Sequence, residues 1–171
     1  MKLRELLTGV PILSHAAELE TEISGVSYDS RAVKPGDLFV AMTGFATDGH
    51  KYIGKALESG AAAVLCQRMP EESCPYVRTE DPRRALAVIG ANWFSHPARE
   101  MTMVAVTGTN GKTTTTYLLK AILEKTLGAK VGLIGTNQNM IGQAVIPTER
   151  TTPESFEVQK LFREMADGGC T

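Results

Sequence analysis

Thr107-Gly108-Thr109-Asn110-Gly111-Lys112-Thr113-Thr114 stands between an apolar run, Met101 to Val106, and a stretch of helical spacing, Lys112 to Leu127. The run predicts a buried strand, and the stretch a helix with Leu118, Leu119, Ile122 and Leu123 turned inward. A glycine-rich link from strand to helix is where a phosphate-binding loop belongs. Glycines let backbone N–H groups turn toward phosphate oxygens, and the helix N-terminus adds partial positive charge. Lys112 can reach the outer phosphates of a nucleoside triphosphate, and the Thr113 hydroxyl can ligate Mg²⁺. Gly108, Thr109, Asn110, Gly111, Lys112, Thr113 and Thr114 are therefore the candidate nucleotide site, with Lys112 the candidate catalytic residue and Thr113 the candidate metal ligand. The spacing departs from G-x-x-x-x-G-K-[ST], which would need glycine where Val106 stands; here Gly108 takes that role.

Downstream, Lys130 to Gly135 reads as the next strand, followed by a polar, irregular stretch through Glu149. A last helix opens at Thr151-Thr152-Pro153-Glu154, where either Thr can cap and Glu154 can complete a capping box. Val158, Leu161, Phe162 and Met165 form its apolar stripe before Gly168-Gly169. Two strands cannot build a doubly wound sheet covered on both faces, so this unit reads as cut off in mid-domain.

Upstream, Asp37 to Met42 reads as a buried strand, Tyr52, Ile53, Ala56 and Leu57 as one helical face closed by Gly60, and Ala61 to Cys66 as another strand. That succession predicts a parallel βαβ unit. Asp81-Pro82 opens a further helix, with Leu86, Ile89, Gly90 and Trp93 along one face and Pro97 beyond its end. The expected architecture is α/β: a small N-terminal α/β domain over 1–98, then over 99–171 the start of a P-loop-type, doubly wound ATPase domain.

At roughly 150 residues per domain, the 171 residues allow one domain or two small ones. Hydrophobic residues make up 43% and charged residues 22%, enough to bury a core. Lys and Arg number 18 against 19 Asp and Glu, a net charge of -1 that offers nucleic acid or anionic lipid no broad basic field. Cys66, Cys74 and Cys170 form no C-x-x-C pair, which points away from a disulfide framework or zinc site and toward a reducing, cytoplasmic setting. No signal-type apolar run or membrane-length stretch is evident. His50 reads as a structural residue entering a helix, Trp93 as core, and Cys66 as an inert buried thiol.

The shortened loop Gly-Thr-Asn-Gly-Lys-Thr resembles the ATP loop of the Mur ligase family and its folylpolyglutamate and cyanophycin synthetase relatives. More of the chain is similar in collinear order: Asp29-Ser30-Arg31, Pro35 to Ala41, Gly44, then Asp48-Gly49-His50 and Tyr52 resemble the family's N-terminal domain. Ile146 to Glu154 resembles the branch that adds the third residue of the muramoyl peptide. The resemblance implies an ATP- and Mg²⁺-dependent ligase of peptidoglycan precursor synthesis. The D-Glu carboxylate of UDP-N-acetylmuramoyl-L-Ala-D-Glu is phosphorylated, and an amine of a diamino acid displaces the phosphate; meso-diaminopimelate is the commoner choice and L-lysine the alternative, and residues 1–171 do not tell them apart. It further implies that Tyr28, Ser30, Phe45, Ala46 and Thr47 lie at the uridine nucleotide, and that Arg150, Thr151 and Thr152 meet the muramoyl substrate.

From the residues alone, Asp29-Ser30 could equally form a turn, Arg31 a local ion pair, and Thr151-Thr152 a helix cap. In this family the remaining Mg²⁺ ligands, a carbamylated Lys and the amino-acid-binding domain follow the segment matched here. Residues 1–171 alone are therefore expected to be inactive, while the complete enzyme is expected to be a monomer. The alternatives are a sister ligase adding D-Ala-D-Ala, a non-catalytic UDP-sugar-binding remnant, and a plain P-loop NTPase with an unrelated front domain.

Overall fold

Four short strands between Gly25 and Arg78 run parallel: β2 (Gly25–Ser27), β3 (Asp37–Val40), β4 (Ala63–Cys66) and β5 (Tyr76–Arg78). An N-terminal β1 (Ser14–His15) pairs antiparallel with β5, giving the order β1-β5-β4-β3-β2. The computed structural model describes residues 1–44, 47–147 and 153–171. Every residue of β3 and β4 is buried, as expected of central strands covered on both faces. Phe39, Ala41, Val64 and Cys66 alternate onto one face and pack with Ile53 and Ala56 of α2 (Ile53–Glu58). Leu38, Val40 and Leu65, of opposite parity, are wholly buried. Burial pushes the Cys66 thiol up to about 11, with neighbouring Cys74 adding and Arg78 opposing, so it stays protonated at neutral pH.

α1 (Leu3–Leu6) and α3 (Pro82–Trp93) pack together, and the Asn92 side-chain amide donates to the carbonyls of Leu6 at 2.9 Å and Thr8 at 2.8 Å. Asp81 Oδ1 accepts the backbone N–H groups of Arg83 and Arg84, each at 3.0 Å, which caps α3 as its sequence predicts. These bonds hold the helix to the first of two compact units, Met1–Trp93 and Phe94–Thr171. Phe94 instead packs its ring against Phe156, with centroids 5.1 Å apart, inside the second unit. The division thus falls earlier than the expected 98/99.

The second unit comprises a 3-10 turn (Pro97–Arg99), α4 (Lys112–Leu127), an antiparallel sheet of β6 (Gly132–Ile134), β7 (Asn139–Ile141) and β8 (Ala144–Ile146), and α5 (Ser155–Asp167). Four expectations are corrected here. Met101 to Val106 is not a buried strand: it pairs with no strand among the described residues, and Met103 and Val104 are 49% and 62% exposed. A strand exists only through a ladder, and this segment and β6 line an apolar cavity of about 530 Å³ instead of pairing across it. The stretch expected to be irregular contains the β7–β8 hairpin, closed by Gly142-Gln143 with Gly142 at φ +55°, as the first central residue of a type II′ turn requires.

In α4 the face toward the cavity carries Thr116, Leu119, Lys120 and Leu123, so Leu118 and Ile122 are more than half exposed rather than inward. Lys120 is buried at 5% exposure and is held by Glu124 one turn on. Finally, α5 begins at Ser155, not at the threonines. Glu154 is its N-cap, and its backbone N–H donates to Glu157 at 2.9 Å, so Glu157 fills the role expected of Glu154. Arg163 on this helix grips both Glu100 oxygens, at 2.6 and 2.9 Å.

Candidate functional site

Because β2, β3 and β4 are parallel neighbours, the segments leaving them share one edge of the first sheet, at the carboxyl ends where open α/β sheets bind ligands. Tyr28 and Ser30 follow β2, Thr47 lies beyond β3, and Gln67 and Arg68 follow β4. Ser30 is buried at 8% exposure and Tyr28 is half-buried. Asp29 accepts the Arg31 backbone N–H at 3.0 Å and its guanidinium at 2.7 to 3.2 Å, the local turn and ion pair that the residues alone allowed. Thr47 Oγ1 donates to the Tyr52 hydroxyl at 3.3 Å, and Tyr52 lies within electrostatic reach of Arg31. The β2 and β3 loops therefore converge. Phe45, Ala46, Arg150, Thr151 and Thr152 lie outside the described residues. Ser155 Oγ, at the first residue of α5, is buried without a hydrogen-bond partner among the described residues.

In the second unit Gly111 is the N-cap of α4 with φ +80°, a left-handed conformation in which a side chain would be strained. Having no side chain, it cannot cap the first turn, whose N–H groups point toward the loop. Lys112 curls back over that loop: its Nζ donates to the carbonyls of Gly108 at 2.5 Å and Thr109 at 3.4 Å. Gly108, Thr109, Asn110, Gly111 and Thr114 are exposed, and Thr113 is half-buried. The arrangement puts backbone donors, a helix dipole and an ammonium around one small volume, which suits a phosphate chain.

A depression beside the first turn of α4 is lined by Thr113, Thr114, Tyr117, Leu118, Asn137 and Gln138. The last two follow β6, and their place just past a strand end is the signal by which sequence reasoning could have found them. Asp48, His50 and Arg68 in the first unit were also missed as a group. Among the described residues no cluster of three or more His, Cys, Asp or Glu could hold a metal. No helix among the described residues is long and apolar enough to cross a membrane, and the three cysteines are free thiols.

The family profile described as "Mur ligase family, catalytic domain" matches residues 22–110, and "Mur ligase middle domain" matches residues 106–171. These two matches together place this chain in the Mur ligase family. Among curated relatives, proteins named "UDP-N-acetylmuramoyl-L-alanyl-D-glutamate--2,6-diaminopimelate ligase" from Clostridium botulinum and Caldanaerobacter subterraneus subsp. tengcongensis are each 48% identical to it. The alignments cover 90% and 99% of this chain but 33% and 35% of theirs. The chain spans about a third of the length of the curated relatives it matches.

A solved structure described by the same enzyme name has the same fold, with a TM-score of 0.78 at 24% identity over 100% of this chain and 34% of its own. A MurF ligase from Thermotoga maritima in complex with ADP is 31% identical over 71% of this chain and 27% of its own, with a TM-score of 0.51.

Proposed function

We propose that this chain is the nucleotide-binding front of an ATP-dependent ligase that adds meso-diaminopimelate to UDP-N-acetylmuramoyl-L-Ala-D-Glu. The observation that carries the reading is 48% identity, across nearly the whole chain, to a relative of that printed name. The loop at Gly108 to Thr114 fits a triphosphate: it is exposed, uncapped and supplied with an amine. Bound there, ATP with Mg²⁺ supplies a phosphoryl group that activates the D-Glu carboxylate toward the incoming amine.

In this reading the backbone of Gly108 to Gly111 cradles the phosphates, Lys112 neutralises charge on their outer oxygens, and the Thr113 hydroxyl serves Mg²⁺. Phosphoryl transfer asks mainly for such positioning and charge. Tyr28, Ser30 and Thr47 hold the uridine end, the first with a ring face and the others with hydroxyls. Phe45, Ala46, Arg150, Thr151 and Thr152 are assigned to the same substrate through family likeness. The setting is cytosolic, in keeping with free thiols and the absence of a spanning helix among the described residues.

Residues 1–171 alone are expected to give no tripeptide, since one metal ligand and no amine-binding groups are assigned within them. The test is ATP-dependent incorporation of labelled diaminopimelate by the complete ligase and by its Lys112→Ala variant. The variant is expected to lose at least about 10²–10³-fold in turnover with UDP-muramoyl-dipeptide affinity intact. Retained turnover would remove Lys112 from its role, and hydrolysis of ATP indifferent to the muramoyl substrate would overturn the function.

A further inference from the structure

His50 bridges two of the converging loops. Its side chain is 9% exposed, and both ring nitrogens are engaged. Nε2 accepts the backbone N–H of Gln67 at 3.1 Å and, more weakly, that of Arg68 at 3.4 Å. A ring nitrogen that accepts carries no proton, so the proton sits on Nδ1, which donates to Asp48 Oδ1 at 2.8 Å. The same Asp48 oxygen takes the His50 backbone N–H at 3.1 Å and the Thr43 hydroxyl at 3.4 Å, while Oδ2 takes Arg68. Burial is the largest influence on the Asp48 carboxyl and raises its pKa. Hydrogen bonds from His50 and Arg68 together outweigh burial and hold it well below the usual carboxylate range.

Asp48 also closes the chain that leaves β3. Thr43 and Asp48 form an antiparallel bridge, Gly44 donates its N–H to the Thr47 carbonyl at 2.9 Å, and Gly49 donates to the Met42 carbonyl at 2.8 Å. A Cβ on Gly49 would lie 2.8 Å from the Met42 nitrogen and oxygen, so the two chains can approach this closely only at a glycine. The result is a tie from the base of the β3 loop, through Asp48 and one imidazole, to backbone amides at the exit of β4.

We propose that His50 is a positioning residue, holding Gly44 and Thr47 for the uridine nucleotide by linking Asp48 to the Gln67 amide. The proposal rests on the function given above. A loop ordered before its ligand arrives spares the binding step that cost, so cutting the tie is expected to weaken binding about tenfold.

Two conservative variants separate the two halves of the tie. His50→Gln keeps an acceptor near the place of Nε2, and His50→Asn keeps a donor near the place of Nδ1. For the 171-residue chain and each variant, hydrogen exchange at the Gln67 amide and calorimetric titration with UDP-N-acetylmuramoyl-L-Ala-D-Glu are measured. All three variants cut the tie, so each is expected to weaken binding about tenfold, while exchange at Gln67 speeds in His50→Asn and His50→Ala and stays near wild type in His50→Gln. Unchanged affinity in all three variants, beside a wild type that binds, overturns the positioning role and leaves the function standing. Wild-type affinity in His50→Gln beside a loss in His50→Ala also overturns it, since the bond to Asp48 would then be dispensable. A wild type that does not bind the nucleotide overturns the function itself, and this inference with it.

Discussion

Asp48 carries more of the first unit's electrostatics than its length suggests, since one carboxylate satisfies a hydroxyl, an imidazole, a guanidinium and a backbone amide. Its folded pKa lies below its unfolded one. The stability it contributes is therefore complete above the unfolded value of about 4 and is lost as pH falls through the lower folded value. His50 and Arg68 are the titratable and charged groups that face it. Chemical denaturation of wild type and Asp48→Asn between pH 7 and pH 2 is expected to show a stability gap that narrows only below about pH 4. A gap independent of pH through that range would mean that the carboxylate charge contributes nothing to folding. Lys112 illustrates the opposite economy: two neutral carbonyls hold its ammonium, and charged phosphate oxygens are the stronger acceptors.

Among elements, α3 has the most self-contained design: Asp81 caps it, Pro82 opens it, and Leu86, Ile89 and Gly90 bury its inner face. Asp81→Ala is expected to cost about 1 kcal/mol and to lower the melting temperature of the first unit, as followed by circular dichroism. No shift would show that the two amides find other partners. Elements of this kind were legible in sequence because cap, period and stop all agree, and the same holds for β3, α2, β4 and the body of α4. The strands β1, β2 and β5 were not, since Ser14-His15 or Gly25-Val26-Ser27 carries no pattern of its own and becomes strand only by pairing. Met101 to Val106 failed in the reverse direction, with the apolar pattern of a strand and no ladder. At the site, the loop around Lys112 is contiguous and could be read directly. The His50–Gln67 bond joins residues 17 apart in sequence, and only the parallel pairing of β3 with β4 brings them together.

At the scale of the molecule the two units differ in how well their cores close. The first buries Phe39, Leu38, Leu65 and Ile89 almost completely, while the second leaves Val104, Leu118, Ile122 and Leu127 more than half exposed and contains a cavity of about 530 Å³. Calorimetry of the 171-residue chain is expected to show two transitions, the second unit melting first. Phe39→Ala should lower only the upper one, by roughly 3–5 kcal/mol of stability, and Met165→Ala only the lower one. A single transition shifted by both substitutions would make the units one cooperative block. The segment Met101 to Val106 adds a consequence of another kind. Its main-chain donors and acceptors join no sheet among the described residues, and Met103 and Val104 stand in solvent beside them. Such an edge is a template onto which the same segment of another molecule can add, strand by strand. Edges of that kind favour edge-to-edge association as concentration rises.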